Sequence, residues 1–247
     1  MTAAALRALH VPGRPLVLPN VWDAASARTV EKAGFPAVAT SSAAIAAALG
    51  SRDGEALAVV EMLDTIARIA DAVSVPVTAD IERGYGLAPA ELVERLAATG
   101  AVGMNLEDSE PSSGVLVDPS RQSSFLSAVR GAAGRAGVDL VINARIDVYL
   151  SKTATDPASV LDEAIRRAHA YLAAGADCVY PILIASRDDI RTFVAECGGP
   201  ANVLSRPGAL SVGELASLGV ARISYGSGMY RATQAHFAEL ISRVRGG

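Results

Sequence analysis

The sequence lacks most of what would mark a secreted, zinc-binding or nucleic-acid-binding protein. It has two cysteines, Cys178 and Cys197, in unrelated contexts. That excludes a disulfide framework and fits a reducing compartment. The histidines His10, His169 and His236 share no metal-ligand spacing, and they read as surface residues of helices or of the N-terminal edge. Lys and Arg total 22 against 26 Asp and Glu, a formal net charge of −4, with no basic run. Nucleic acid and anionic membranes are therefore not expected partners. No window reaches the roughly 18 apolar residues of a membrane helix; the apolar stretch Ala37–Leu49 is short and broken by serines. Nor does Met1–Pro15 hold a signal-like apolar run, so a soluble, cytoplasmic protein is expected. No dinucleotide fingerprint follows the first strand, and no Ser/His/Asp arrangement suggests itself.

Aromatic residues make up only 4% of the chain, against 51% hydrophobic residues overall. The core must be built from Ala, Val, Leu and Ile, a composition suited to parallel strands buried on both faces. Short apolar runs recur at Leu16–Pro19, Ala37–Thr40, Val75–Ala79, Val102–Leu106, Leu140–Ala144, Cys178–Tyr180, Asn202–Leu204 and Ala221–Ser224. Helical segments alternate with them: Ala24–Ala33, Glu61–Val73, Pro89–Thr99, Ser120–Ala133, Ser159–Ala174, Ser186–Cys197, Val212–Leu218 and Tyr230–Val244. Glycines 34, 100, 175 and 219 follow helices, as C′ residues should. An eightfold βα alternation over 247 residues argues for one (β/α)₈ TIM barrel spanning 1–247, since such barrels need about 250 residues.

Active sites of such barrels lie where strands end. Strand three ends in Asp80 and Glu82, strand four in Glu107 and Asp108, strand five in Arg145 and Asp147; a long loop after strand two carries Arg52 and Asp53. Carboxylates gathered on one rim call for a cation, and oxygen ligands without His or Cys favour Mg²⁺, with Mn²⁺ as the substitute. Asp80 ends its strand and is the candidate for direct ligation, with Glu82, Glu107 and Asp53 holding the ion's water shell; Asp53 taken alone reads rather as a turn residue. Arg145 suits bidentate binding of a substrate carboxylate, an ion pair with Glu107 being the alternative.

The segment Asp80-Ile81-Glu82-Arg83-Gly84-Tyr85-Gly86 resembles the acidic Gly-Tyr-Gly metal motif of the isocitrate lyase/phosphoenolpyruvate mutase superfamily. The resemblance extends over nearly the whole chain, through Asn20–Arg28, Thr40–Ala43, Gly50–Asp53, Asn105–Ser109, Asn143–Asp147 and Glu163–Ala168. It implies that Asp80 binds Mg²⁺ directly and that Asp53, Glu82 and Glu107 hold the ion's waters. It further implies that Ser41, Ser42 and Ala43 grip the carboxylate of a 2-oxo acid. Arg145 would stand at the substrate's variable end, and Trp22 and Asp23 would line the pocket floor. An enolate would be the shared intermediate. A homo-oligomer, dimer or tetramer, with a swapped C-terminal helix is implied too; Phe237, Leu240, Ile241 and Val244 suit swapping or ordinary packing on the chain's own barrel.

Departures from the family pattern narrow the chemistry. The loop Ser109–Asp118 lacks the Lys-Arg-Cys-Gly-His segment of the C–C lyases and the Lys and Asn of phosphonate-forming members. What survives points to a Mg²⁺-dependent lyase acting on a small 2-oxo or 2-hydroxy (di)carboxylic acid by C–C cleavage or decarboxylation. A phosphonate enzyme or a 2-oxo acid binder with little catalysis is the alternative. A retro-aldol cleavage would need a base, for which Tyr85 or a metal-bound hydroxide is the candidate. Arg206 could bind a second carboxylate or be a surface residue of a Pro-Gly turn. Gly226-Ser227-Gly228 reads as a tight turn, and Cys178 as core.

Overall fold

The computed structural model describes residues 2–111, 113–150 and 157–246. Ser112 of the Ser109–Asp118 loop lies outside them, as do residues 1, 151–156 and 247 of the expected 1–247 span. The elements run α1 (Ala3–Ala8), β1 (Leu16–Leu18), β2 (Asn20–Val21), α2 (Ala24–Lys32), β3 (Val38–Thr40), α3 (Ser42–Ala48), α4 (Val59–Asp71), β4 (Val77–Asp80), α5 (Pro89–Ala98) and β5 (Gly103–Leu106). They continue with α6 (Pro119–Ala136), β6 (Val141–Ile146), α7 (Pro157–Ala173), β7 (Cys178–Pro181), α8 (Arg187–Glu196), β8 (Asn202–Leu204), α9 (Val212–Ser217), β9 (Arg222–Ser224) and α10 (Gly228–Gly246).

All strand pairings are parallel, in a six-stranded sheet β2-β3-β4-β5-β6-β7 and a three-stranded sheet β1-β9-β8. Two joints close them into the expected (β/α)₈ barrel. One is the parallel bridge between Val179 and Ala201. The other is the chain itself, which passes from β1 to β2 through Pro19; proline has no N–H to give to a ladder, so the first barrel strand is assigned in two pieces. Asn20 seals this seam: its Oδ1 accepts from the N–H groups of Tyr225 and Gly226 at 2.8 and 2.9 Å, and its Nδ2 donates to the Thr40 carbonyl at 2.7 Å.

The main core lies between the strands and the surrounding helices, around residues such as Met62, Ile66, Leu92, Leu126, Ile142 and Phe193. A second cluster joins Ala3 and Leu6 of α1 to Leu16, Leu18, Ala37, Ala39 and Val141. This short helix, absent from the sequence reading, plugs the N-terminal end of the barrel. Leu6 comes so close that a Cβ on Gly103 would stand 2.9 Å from its Cδ2 and 3.0 Å from the Val141 carbonyl oxygen, so any larger residue there would push the plug aside. His10, expected at the surface, is buried behind the plug at 8% exposure. Gly34, Gly100, Gly175 and Gly219 take the left-handed φ expected of helix C′ residues. With the strand starts plugged, the open end is the one where the strands finish.

Candidate active site

Asp80 finishes β4 at the open end. Its N–H donates to the Thr40 hydroxyl at 2.8 Å, which fixes the strand end against β3. Ser41 is the N-cap of α3, its hydroxyl accepting from the Ala44 N–H, and so turns the chain from strand into helix. That turn brings Ser42 onto Asp80, whose Oδ2 accepts from the Ser42 N–H at 3.1 Å and from its hydroxyl at 2.9 Å. The same hydroxyl lies 3.4 Å from Asp53 Oδ1. The other oxygen, Asp80 Oδ1, is buried without any partner. A buried carboxylate oxygen left unpaired is costly, and a bound cation is the natural compensation. Burial and the Asp80 charge push the Asp53 carboxyl up.

Two loops meet over this point. Glu82 is buried, and its carboxylate accepts from the Glu55 N–H at 2.6 Å and from the Tyr85 hydroxyl at 2.7 Å. Glu55 answers from the other loop: its Oε1 accepts from the N–H of Tyr85 at 2.7 Å and of Arg83 at 3.2 Å. Glu55, Glu82 and Tyr85 all take left-handed φ, between 52° and 58°, a conformation that costs a non-glycine residue on the order of 1–2 kcal/mol. Burial pushes the Glu82 carboxyl up to about 7. Burial and Glu82 also drive the Tyr85 phenol far above its ordinary value. In this structure the Tyr85 hydroxyl is engaged as the donor that holds Glu82.

Glu107 and Arg145 form a buried ion pair, and Arg145 also forks onto Asp147 through Nε at 2.7 Å and Nη2 at 3.0 Å. The guanidinium is thus held by protein carboxylates rather than free to fork onto a substrate. Burial raises the Glu107 carboxyl against the pull of Arg145. Asp147 also accepts from the Ser109 hydroxyl, which anchors the loop after β5. A Ser109–Leu116 bridge and a Glu110 N–H to Val115 carbonyl bond of 2.8 Å draw the two arms of that loop together. Asp108 points away from the site and is bound by Arg167 and Tyr171 at 2.7 and 2.6 Å.

A cavity of about 270 Å³ opens at this rim. It gathers Ser41, Ser42, Ala43, Asp53, Asp80, Arg145 and Arg206 of the sequence-based set. Glu82, Glu107 and Tyr85 stand behind it. Trp22 and Asp23 do not form its floor: Trp22 lines a separate apolar groove, edge-on to Tyr230 at 5.1 Å. Asp23 is occupied as the N-cap of α2, accepting from the Ser26 N–H at 2.7 Å. Asn20, Asn105 and Tyr180 also line the cavity, and Tyr180 stands at the end of its apolar run as Asp80 does. Glu55 carries no signal in the sequence, because its role depends on a loop of another strand. No three His, Cys, Asp or Glu side chains converge as a ready metal cage among the described residues. Mg²⁺ does not need one: it commonly keeps several waters and takes one or two carboxylates. Asp80 Oδ1, with further acids around it, fits that habit.

A family model described as phosphoenolpyruvate phosphomutase matches residues 6–245. Oxaloacetate decarboxylase of Rhodopseudomonas palustris is 30% identical over 84% of this chain and 72% of its own length. The crystal structure of a candidate phosphonomutase from Burkholderia cenocepacia J2315 superposes with a TM-score of 0.93 at 43% identity, covering 98% of this chain and 99% of the other. That of a phosphonopyruvate hydrolase in complex with oxalate and Mg²⁺ has a TM-score of 0.85 at 29% identity, covering 99% and 87%.

Proposed function

The chain belongs to the phosphoenolpyruvate phosphomutase family, and from that premise we propose that it is a Mg²⁺-dependent lyase acting on a small 2-oxo or 2-hydroxy carboxylic acid through its enolate, by C–C cleavage or decarboxylation. The observation that carries the reading is the buried, unpartnered Asp80 Oδ1 at the cavity wall. Bound there, Mg²⁺ or Mn²⁺ would supply the positive charge that stabilises the enolate oxygen. Asp80 would hold the ion, and Asp53, Glu82 and Glu107 would accept hydrogen bonds from its waters. Ser42 keeps Asp80 in place through two hydrogen bonds. The Ala43 N–H, in the first turn of α3, has no intrahelical acceptor and serves as donor to the substrate carboxylate, beside Ser41 and Ser42. Arg145, clamped by Glu107 and Asp147, presents a fixed positive charge to the substrate. Tyr85 and Glu55 position Glu82.

C–C chemistry is favoured over C–P chemistry by the β5–α6 loop, which has no Lys, Arg, His or Cys from Ser109 to Asp118 with which to hold a migrating phosphoryl group. The exposed apolar row on α10 supports a homo-oligomer. The test is an NMR panel with Mg²⁺: oxaloacetate, 2-methylisocitrate, isocitrate, malate-like hydroxy acids and phosphonopyruvate, with Asp80→Ala as control. Metal-dependent loss of a C–C substrate, abolished in the variant, is expected. Phosphate release from phosphonopyruvate would move the protein to the phosphonate branch, and Mg²⁺-dependent binding without any turnover would make it a 2-oxo acid binder.

A further inference from the structure

We propose that the outer half of the cavity is a second anion subsite, in which Arg206 and Arg231 grip a distal carboxylate or phosphonate of the substrate. The inference rests on the reading of the inner half given above. Charge in the cavity is segregated. Asp53 and Asp80 stand on the β3–β4 side, whereas Arg206 follows β8 and Arg231 lies in the first turn of α10, with Ser205 and Ser227 also in the lining. Arg145, the third cation of the lining, is already ion-paired with Glu107 and Asp147. Among the described residues, neither Arg206 nor Arg231 reaches a carboxylate. Two uncompensated cations lining one small cavity repel each other unless an anion joins them.

Both arginines are carried on fixed backbone. Arg231 donates to the Ser227 hydroxyl, and the neighbouring Tyr230 is braced on Trp22 at 5.1 Å. The turn before it is tied down by the Gly226 N–H to Asn20 bond of 2.9 Å. Arg206 sits in a turn closed by the Ala209 N–H to Arg206 carbonyl bond of 2.9 Å and the Ser205 N–H to Ser224 carbonyl bond of 2.8 Å. Guanidinium forks match the planar oxygens of a carboxylate and the oxygens of a phosphonate alike. The substrate class that follows is a 2-oxo or 2-hydroxy acid with an anionic group at its far end; an acid ending in a methyl group leaves the subsite unused.

Calorimetric titration in Mg²⁺ of the wild-type protein, Arg206→Gln and Arg231→Gln separates the two halves of the cavity. The probes are oxalate, which has no distal group, malate, with a distal carboxylate, and phosphonopyruvate, with a distal phosphonate. Each substitution is expected to weaken at least one of the two longer ligands about tenfold or more while oxalate stays within about twofold. The ligand that loses affinity identifies the distal group. Equal affinities for malate and phosphonopyruvate in all three proteins, or failure of both to bind the wild type, would overturn the subsite. If oxalate binds and Asp80→Ala abolishes that binding, the reading of the inner half stands whichever way the arginines answer.

Discussion

Glu107 and Asp108 are adjacent acids at the end of β5, and the alternation of an extended chain sends them to opposite sides. Glu107 meets Arg145 beside the cavity; Asp108, with 0% exposure, meets Arg167, Tyr171 and the Asp147 N–H. Removing one partner of a buried pair strands the other charge. Arg167→Met should therefore lower unfolding stability by about 3–5 kcal/mol in urea titrations, while oxalate binding by the folded protein is retained. The sequence shows two acids at a strand end but not which faces the site, because Arg167 stands 59 residues further along. His10 follows the same logic with the opposite charge. Its Nδ1 lies 2.9 Å from the Leu6 carbonyl, its Nε2 is buried without a partner, and burial followed by the Arg222 charge lowers its pKa to about 4. A folded-state pKa below the unfolded value of about 6.5 means that stability is intact above pH 6.5 and falls between 6.5 and 4, by about 3 kcal/mol when complete. In His10→Leu this contribution is absent, so the variant should gain on the wild type as the pH drops through that window in parallel urea titrations. Equal pH slopes in the two proteins would refute it.

At the scale of elements, the alternation of apolar runs and amphipathic segments was legible because each barrel strand and most outer helices carry their own periodicity. The exceptions share a cause. α3 is Ser-Ala-Ala-Ile-Ala-Ala-Ala, with good helix propensity but no polar stripe, so its apolar run gives no 3.6-residue pattern. α1 has only six residues, and what makes it a helix is the barrel end it plugs. The loops over the site were legible only as a set of acids. Their geometry depends on Glu55, whose backbone and carboxylate bond Glu82, Arg83 and Tyr85 across two loops and keep Glu82 in a strained left-handed conformation. Glu55→Ala removes the carboxylate half of that staple. It should weaken Mg²⁺ activation about 10- to 100-fold, the usual cost of losing a group that orients a metal's surroundings, with little change in Tm because the staple lies outside the core. A Mg²⁺ titration of activity set beside a melting curve tests both halves of that statement. An unchanged Mg²⁺ dependence would mean that the strained loop holds itself.

For the whole molecule, the last helix poses the question. From Arg231 to Arg245 every residue of α10 is exposed, so the helix leaves the barrel instead of packing on it, which removes one of the two roles its apolar row could have had. Phe237, Leu240, Ile241 and Val244, spaced as one helical face, are 56%, 41%, 52% and 81% exposed. A contiguous apolar stripe of this kind on a projecting helix is costly in water and marks a protein contact. The start of the helix offers a seat for such a contact, an apolar groove lined by Pro19, Trp22, Val30, Met229 and Thr233. A surface that provides both a protruding stripe and a groove suits a second copy of the same chain, exchanged reciprocally about a twofold axis. Light scattering after size exclusion at micromolar concentration should give a dimer or tetramer, and Leu240→Glu with Ile241→Glu should give a monomer whose barrel still folds. Because Arg231 lies in the first turn of the same helix and lines the cavity, loss of the assembly should also loosen whichever of malate and phosphonopyruvate Arg231 holds more than it loosens oxalate. A wild-type monomer, or an oligomer indifferent to the two glutamates, would leave the stripe without its partner and detach α10 from the assembly.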